Sequence, residues 1–574
     1  MFSEAEILQK ISRRTFMEGF SAAALTSRSL LGQSGGLPSM YVVAETSFGK
    51  IRGIEDRGIK IFKGVPYGAD TTGANRFMPP VDPIKWSGVR EALEYGHSAP
   101  QSAPPAPRSD SHVISTPTSS STMLQSANRL KGPSIYRALD VPGDKKTSEG
   151  EDCLVLNLWT PALDDGGKRP VMLWLHGGGF RGGSGSTRGW DGTNLCLRGD
   201  VVVLTINHRL NACGFANFSS FSPDFAASGA VGMLDIVHAL KWVRTNITAF
   251  GGDPDTVMIF GQSGGGRKCE TLLAMPAAKG LFHRATIESG IAIKLVDTEM
   301  ARRDAENLLA KLGVAKSDVH KVQQLPLNQI LTAAAEVTRE LGNVDLDTHA
   351  FAPTVDGIII PQDPFFPAAA PASANVPVMI GGTRTEYTGL TTDAAYWHLD
   401  EAGLRSNIKQ LLGDRADAMI AIYRKHNPGA SPTDIFFLIE SDYRYGAPTM
   451  KIAERRAALH GGPVYLYYFA WASPVQDGML MSPHNIEWPF AFDNVDLCAN
   501  LTGGGPDAQA LADKVSDAWV AFARTGNPNT PNLPHWPAFT AKDRETMVIN
   551  NRSKAEKDPL REQRIAMFAA LNYS

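Results

Sequence analysis

Cysteine is scarce in this chain: five in 574 residues, and none in a C-x-x-C pair. That excludes a disulfide scaffold and a zinc ribbon, both of which need closely spaced thiols. Cys153, Cys196, Cys213, Cys269 and Cys498 read instead as small core residues. An excess of either charge is also lacking. Lys and Arg total 56 against 59 Asp and Glu, a net charge of −3, whereas a nucleic-acid partner calls for a basic excess. No stretch supplies the roughly 18 uncharged apolar residues that a membrane-spanning helix requires, and no internal repeat is visible. What is present is ordinary for a globular protein: 43% hydrophobic and 20% charged residues, with 54 Gly and 37 Pro. Such a composition predicts a large core interrupted by many tight turns. Length alone predicts several domains.

The first forty residues read as an address. Ser12-Arg13-Arg14-Thr15-Phe16-Met17 resembles the twin-arginine export signal of bacteria, and an Ala-rich apolar stretch follows from Gly19 to Thr26. The expectation is an exported, periplasmic or secreted protein, with a cytoplasmic one as the alternative. Between Ser102 and about residue 147 the sequence turns to Ser and Pro, as in SAPPAPRSDS and STPTSSST. Such a stretch buries no core of its own and reads as a long surface loop.

Elsewhere continuous apolar runs predict strands at Leu154–Trp159, Pro170–Leu175, Val201–Ile206, Thr256–Phe260, Ala285–Glu288, Val376–Gly381 and Val464–Ala470. Shorter runs at Tyr41–Ala44 and Ile59–Phe62 precede them. Helical spacing fits Met233–Phe250, Glu299–Leu312, Asn407–Leu412, Thr449–His460 and Ala508–Arg524. Apolar strands alternating with helices and Gly-rich turns imply an α/β fold, with a mostly parallel sheet covered on both faces.

Two motifs carry chemistry. Gly261-Gln262-Ser263-Gly264-Gly265 matches G-x-S-x-G, with a strand before it and a helix-competent segment, Arg267–Ala274, after it. That context suits a serine presented on a strained turn. The identical pentapeptide at Gly32–Gly36 lacks it, so Ser34 reads as a spacer. His176-Gly177-Gly178-Gly179-Phe180 directly follows a strand. Acyl transfer builds charge on a carbonyl oxygen, and bare glycine backbone lets N–H groups approach that charge. Gly178, Gly179 and Gly264 are therefore the expected oxyanion hole. A serine hydrolase of this kind places its acid and then its histidine downstream of the nucleophile, in loops past strand ends. His398, His426, His460, His484 and His535 lie far enough along. His484 sits best relative to a strand, and His176 and His208 read as an orienting and a structural residue.

These residues belong to a longer ordered series: FKGVPYGADTTGANRFMPP, EDCLVLNLWTP, HGGGF, VVVLTINHRLNACGF, NITAFGGDP, VMIFGQSGGG, LFHRATIESG, SPHNIEWPFAF and TGNPN…WPAF. Over residues 41–101 and 148–550 the chain resembles the type-B carboxylesterase family, which includes the cholinesterases, and in particular its bacterial para-nitrobenzyl-esterase-like branch. The resemblance implies an α/β-hydrolase fold and one catalytic domain over 41–574. It implies a triad of Ser263, Glu386 and His484, and hydrolysis of a small-molecule carboxylic ester through an acyl-enzyme, with no metal or organic cofactor. Amide, lactone or polyester hydrolysis by the same triad is the alternative, and a non-catalytic binding protein on the same fold a more distant one. Phe180, Trp190, Phe490 and Phe492 are candidate pocket residues. The pattern departs from the family's in four places. Gln262 replaces the usual Glu, which removes a negative charge that would attract cations. Gly264 replaces Ala and is expected to leave more room. No Trp lies between Trp86 and Trp159, so choline specificity is not expected. No Cys precedes Cys153, so the usual disulfide of that loop is absent, and the unstapled segment is expected to cap the gorge mouth.

Overall fold

The computed structural model describes residues 40–101, 141, 144, 147–341, 350–391 and 393–573. The export-like segment, its Ser34 pentapeptide and nearly all of the Ser/Pro stretch lie outside the described residues. Among the described residues, thirteen strands form one sheet. They are β1 (Tyr41–Thr46), β2 (Gly49–Asp56), β3 (Ile59–Pro66), β4 (Val89–Glu91), β5 (Val155–Thr160), β6 (Arg169–Leu175) and β7 (Val202–Ile206). The sheet continues with β8 (Gly252–Gln262), β9 (Arg284–Glu288), β10 (Val378–Thr383), β11 (Val464–Phe469), β12 (Glu545–Ile549) and β13 (Lys554–Lys557). Their spatial order is β1-β2-β3-β5-β7-β6-β8-β9-β10-β11-β12-β13, with β4 beside β2.

The block from β7 to β12 is parallel throughout. The pairs β1–β2, β2–β3, β3–β5, β5–β7 and β12–β13 are antiparallel. The parallel strands are apolar on both faces because helices cover both: β7 is buried at every position and β6 at all but its first. Two large apolar clusters flank the sheet, one containing Leu173, Leu204, Ile259 and Ile287, the other Trp174, Val203, Phe260 and Tyr467. Neighbouring residues of one strand thus serve opposite clusters, as a pleat of period two requires. This is the mostly parallel sheet, covered on both faces, that the apolar strands predict, and it agrees with the α/β-hydrolase fold that the family resemblance implies.

Chain order reverses around β6. Its neighbours are β7 on one side and β8 on the other, and such a switch opens a crevice beyond the strands' carboxyl ends. The β6–β8 register pairs Leu175 with Gly261, so the segments starting at His176 and Ser263 leave the sheet side by side. The Ser/Pro segment departs and returns at a single place: Ser98 bridges Glu149, and the Gly150 N–H donates to the Ser98 carbonyl at 3.0 Å. Beside it the Arg76 guanidinium holds both Glu151 oxygens at 2.7 Å, with neither side chain more than 7% exposed. All five cysteines are free and buried. Among the described residues no helix is long and apolar enough to cross a membrane.

Candidate active site

Ser263 stands between β8 and the helix Gly264–Ala274, at φ +58° and ψ −122°. A non-glycine residue enters this region only when its surroundings force it. Here the Ser263 N–H donates to the Glu288 carbonyl at 2.8 Å, and its own carbonyl accepts from the Arg267 N–H at 3.0 Å. The flanking glycines make the turn sterically possible. A Cβ on Gly261 would stand 2.6 Å from the Gly265 carbonyl carbon, and one on Gly265 would strike the Leu175 carbonyl oxygen.

Gly178 and Gly179 follow β6 with φ of +89° and +62°. Among the described residues, the N–H groups of Gly178, Gly179 and Gly264 donate to no protein acceptor, which leaves three donors for a ligand oxygen. A Cβ on Gly264 would overlap the Gly179 backbone. The expected extra room at Gly264 is therefore not there, because the Gly179 backbone of the HGGG loop fills it.

Side chains distant in sequence brace this loop. The Gln101 amide both donates to the Gly183 carbonyl at 2.8 Å and accepts from the Gly183 N–H at 3.1 Å. The Asn207 side-chain amide oxygen accepts from the Gly185 N–H at 2.6 Å, and the Asn211 backbone N–H adds a bond to the Phe180 carbonyl at 2.8 Å. The His176 and His208 rings stack with centroids 4.9 Å apart. Burial, with the nearby Lys268 charge second, holds both well below the usual histidine range, so they are neutral.

Glu386 opens a short turn just past β10, and His484 lies in the loop after β11. Nδ1–H of His484 donates to Oε2 of Glu386 at 2.5 Å, with both side chains buried. The other Glu386 oxygen accepts from the Thr383 N–H and the Ser289 hydroxyl, each at 2.7 Å. Ser289 also hydrogen-bonds Glu487. Burial, and then the Glu386 and Glu288 charges, push Glu487 well above the usual carboxylate range. A hydroxyl has one proton to give. Protonated Glu487 therefore donates a hydrogen bond to Ser289, and the Ser289 hydroxyl donates its own hydrogen bond to Glu386.

Nε2 of His484 faces the Gln262 amide nitrogen at 3.2 Å. Among the described residues no hydrogen bond joins Ser263 to His484. The same nitrogen lies 3.4 Å from Nδ1, so it sits over the face of the imidazole and not on the in-plane lone pair of Nε2 that would receive the serine proton. Apo catalytic hydrogen bonds are often loose and tighten with substrate.

The aromatic candidates differ in placement. Phe180 is buried, edge-on to Phe215 at 5.4 Å, and Trp190 is half-buried between Trp174 and Trp488. Phe490 and Phe492 have no exposed surface. The first packs on Phe469 and Trp471, the second on Trp174 and Phe260. A small cavity of about 60 Å³ opens behind Glu386, lined among others by Tyr445, Tyr468, Met450 and Met567; neither Ser263 nor His484 borders it. Among the described residues no group of three His, Cys, Asp or Glu side chains is placed to hold a metal.

Sequence reasoning missed Gln101, Lys268, Ser289 and Glu487. Glu487, three residues after His484, and Ser289, in LFHRATIESG, both lay inside quoted motifs and could have been noticed there. Nothing local marks Gln101 or Lys268.

The family model described as "Carboxylesterase family" matches residues 41–568. The chain is 33% identical over 533 residues to the para-nitrobenzyl esterase of Bacillus subtilis, covering 92% of this chain and 99% of the relative. Among solved structures, a carboxylesterase of Geobacillus stearothermophilus is 35% identical with a TM-score of 0.73, over 92% of this chain and 99% of that one. An esterase of the anaerobe Clostridium hathewayi, described as able to hydrolyse aliphatic aromatic polyesters, is 31% identical with a TM-score of 0.75, over 92% and 98% of the two chains.

Proposed function

The chain belongs to the carboxylesterase family and is a carboxylic ester hydrolase, and on that premise we propose that Ser263, His484 and Glu386 are its nucleophile, general base and orienting acid. The observation that carries this reading is the buried His484–Glu386 hydrogen bond at 2.5 Å, set beside a serine held at φ +58°. Substrate entering the crevice tightens the approach of Nε2 of His484 to Ser263. The Ser263 oxygen then attacks the ester carbonyl carbon while its proton passes to Nε2. Glu386 fixes the tautomer and stabilises the imidazolium. The electron pair of the broken π bond settles on the carbonyl oxygen, opposite the N–H groups of Gly178, Gly179 and Gly264. Collapse expels the alcohol, which takes the proton from His484. Water, deprotonated by the same imidazole, then attacks the acyl-enzyme and releases the acid.

The substrate is a small-molecule ester. Of the four aromatic candidates, Trp190 alone is half-buried and is the proposed wall residue, with Phe180 behind the oxyanion loop. Hydrolysis of polyesters is a second reading, favoured by the likeness to the Clostridium hathewayi esterase. A single catalytic domain over 41–574 fits a sheet that takes strands from both ends of that range. Export through the twin-arginine-like Ser12–Met17 segment is the proposed route, and cell fractionation tests it.

The site assignment is tested by Ser263→Ala and His484→Ala on p-nitrophenyl esters of several chain lengths, with an organophosphate label to locate the reactive serine. Each substitution is expected to lower kcat by at least about 10³-fold. Label on a serine other than Ser263, or turnover undiminished in Ser263→Ala, overturns the assignment.

A further inference from the structure

Lys268 is completely buried, five residues beyond Ser263 on the helix that the nucleophile opens. Its Nζ donates to the His176 carbonyl at 2.8 Å and lies 5.9 Å from the Phe180 ring centre. It thus sits under the root of the HGGG loop. Among the described residues no carboxylate lies within ion-pair distance of it. The ionisable groups facing it do not offset its charge. From the β6 and β7 ends come His176 and His208, both neutral. Arg209, behind His208, is committed to Asp235 at 2.6 and 2.9 Å. On its own helix, Cys269 is held protonated by burial, while Arg267 and Glu270 lie on either side in sequence. From β9, burial pushes Glu288 up to about 8. Gln262 and Ser263, at the end of β8, carry no charge.

A buried cation without an anionic partner costs stability. Such a cost is offset where negative charge arrives during the reaction, and here it arrives on the other side of the HGGG backbone. We propose that Lys268 is a positioning residue for ester hydrolysis: its ammonium anchors the His176 carbonyl at the root of the oxyanion loop and supplies positive potential as the substrate oxygen becomes an oxyanion. This rests on the assignment of Ser263 and the HGGG donors, and it adds a pH dependence that those residues do not supply. Burial lowers Lys268 to about 7. As pH rises through neutrality the ammonium loses its proton, the hydrogen bond to His176 persists as an amine N–H, and the positive potential disappears. The kcat therefore falls on the alkaline side of neutrality.

The test measures kcat and KM for p-nitrophenyl acetate across the neutral range with the full chain, wild type against Lys268→Met and Lys268→Arg. Wild-type kcat is expected to decline on the alkaline side. Lys268→Met lowers neutral-pH kcat about 10-fold with KM little changed, and its profile lacks the decline. Lys268→Arg, permanently charged, also lacks the decline. The thermal midpoint of Lys268→Met is expected to rise, because a methionine removes a buried charge; a lysine kept for packing alone would give a fall. Where a variant fails to fold, the wild type still decides through a trifluoromethyl ketone. The Ser263 oxygen bonds its carbonyl carbon, the π pair becomes an oxyanion, and the proton moves to His484. Affinity for this adduct weakens over the same pH range. A wild-type kcat and ketone affinity that both stay flat above neutrality overturn the proposal, as does a Lys268→Met enzyme with wild-type kcat and profile. If Ser263→Ala abolishes turnover while Lys268→Met changes nothing, the role of Lys268 alone is lost.

Discussion

Glu288 touches the nucleophile's turn from below: its carbonyl holds the Ser263 N–H, and its side chain accepts from the Trp519 indole at 2.7 Å. Burial raises its carboxyl from 4.5 to about 8, and the indole hydrogen bond only partly opposes this. The sign of the consequence is definite. The unfolded chain ionises Glu288 near its ordinary value, while the folded chain keeps the proton until about 8. Between those two values the folded state binds more protons, so this group's contribution to stability falls as pH rises. Glu288→Gln keeps an acceptor for Trp519 and has no charge to bury. Denaturant unfolding at a series of pH values is expected to show the variant gaining on the wild type from about pH 5 to about 8. A constant difference between the two would remove Glu288 from the account. Neither the raised carboxyl nor Lys268 was legible in the sequence. A buried Glu and a solvated one look alike there, and only the packing of β9 against the Gly264–Ala274 and Gly505–Thr525 helices distinguishes them.

At the scale of elements, the reading was close where local pattern decides. β6 and β7 lie within one residue of the apolar runs that announced them, and the Met233–Phe250 expectation corresponds to a helix at Val231–Asn246 continued by a 3-10 turn to Phe250. β10 begins at Val378, two residues late, because Pro377 has no N–H to give the ladder. Elements without a continuous apolar face went unnamed. β2 alternates charge with Ile, as GKIRGIED, and β13 reads KAEK; both lie in the antiparallel flanks of the sheet. The helices at Leu327–Glu340, Ala416–His426, Pro432–Ser441 and Arg561–Ala570 were missed too. The elbow is the element on which the chemistry depends, and its tightest point is Gly265. Gly265→Ala would drive a methyl into the Leu175 carbonyl and spread β6 from the helix. It is expected to lower unfolding free energy by about 3 kcal/mol or more, and kcat by at least about 10²-fold. Denaturation midpoints and p-nitrophenyl ester kinetics measure both, and a near wild-type result would mean the elbow is more pliable than its contacts imply.

For the whole molecule, Arg76 ties together segments that sequence alone leaves unconnected. It pairs bidentately with Glu151, where the Ser/Pro segment returns, and donates to the Gln323 and Leu325 carbonyls at 3.1 and 2.7 Å. Removing the guanidinium leaves a buried carboxylate alone. Arg76→Ala is expected to cost about 3–5 kcal/mol by denaturant unfolding, and Arg76→Ala with Glu151→Gln appreciably less, since the stranded charge goes too. Equal losses in the two proteins would mean that packing, not charge, is what the pair provides.

The sequence by itself determined the α/β class, the two glycine motifs and their order, because apolar runs and glycine clusters act over a few residues and leave a local mark. It also ranked Glu386 and His484 through a resemblance, and the structure brings those two side chains into contact. Only the tertiary structure decided that the Gln262 amide lies over the His484 ring, that Gln101 clamps Gly183, that Ser289 joins Glu487 to Glu386, and that Lys268 lies uncompensated beneath the HGGG loop. Each is a contact between side chains far apart in the chain, or a matter of how deeply one is buried. No spacing or composition encodes either, because both arise from the β6–β8 crevice and the helices that close over it.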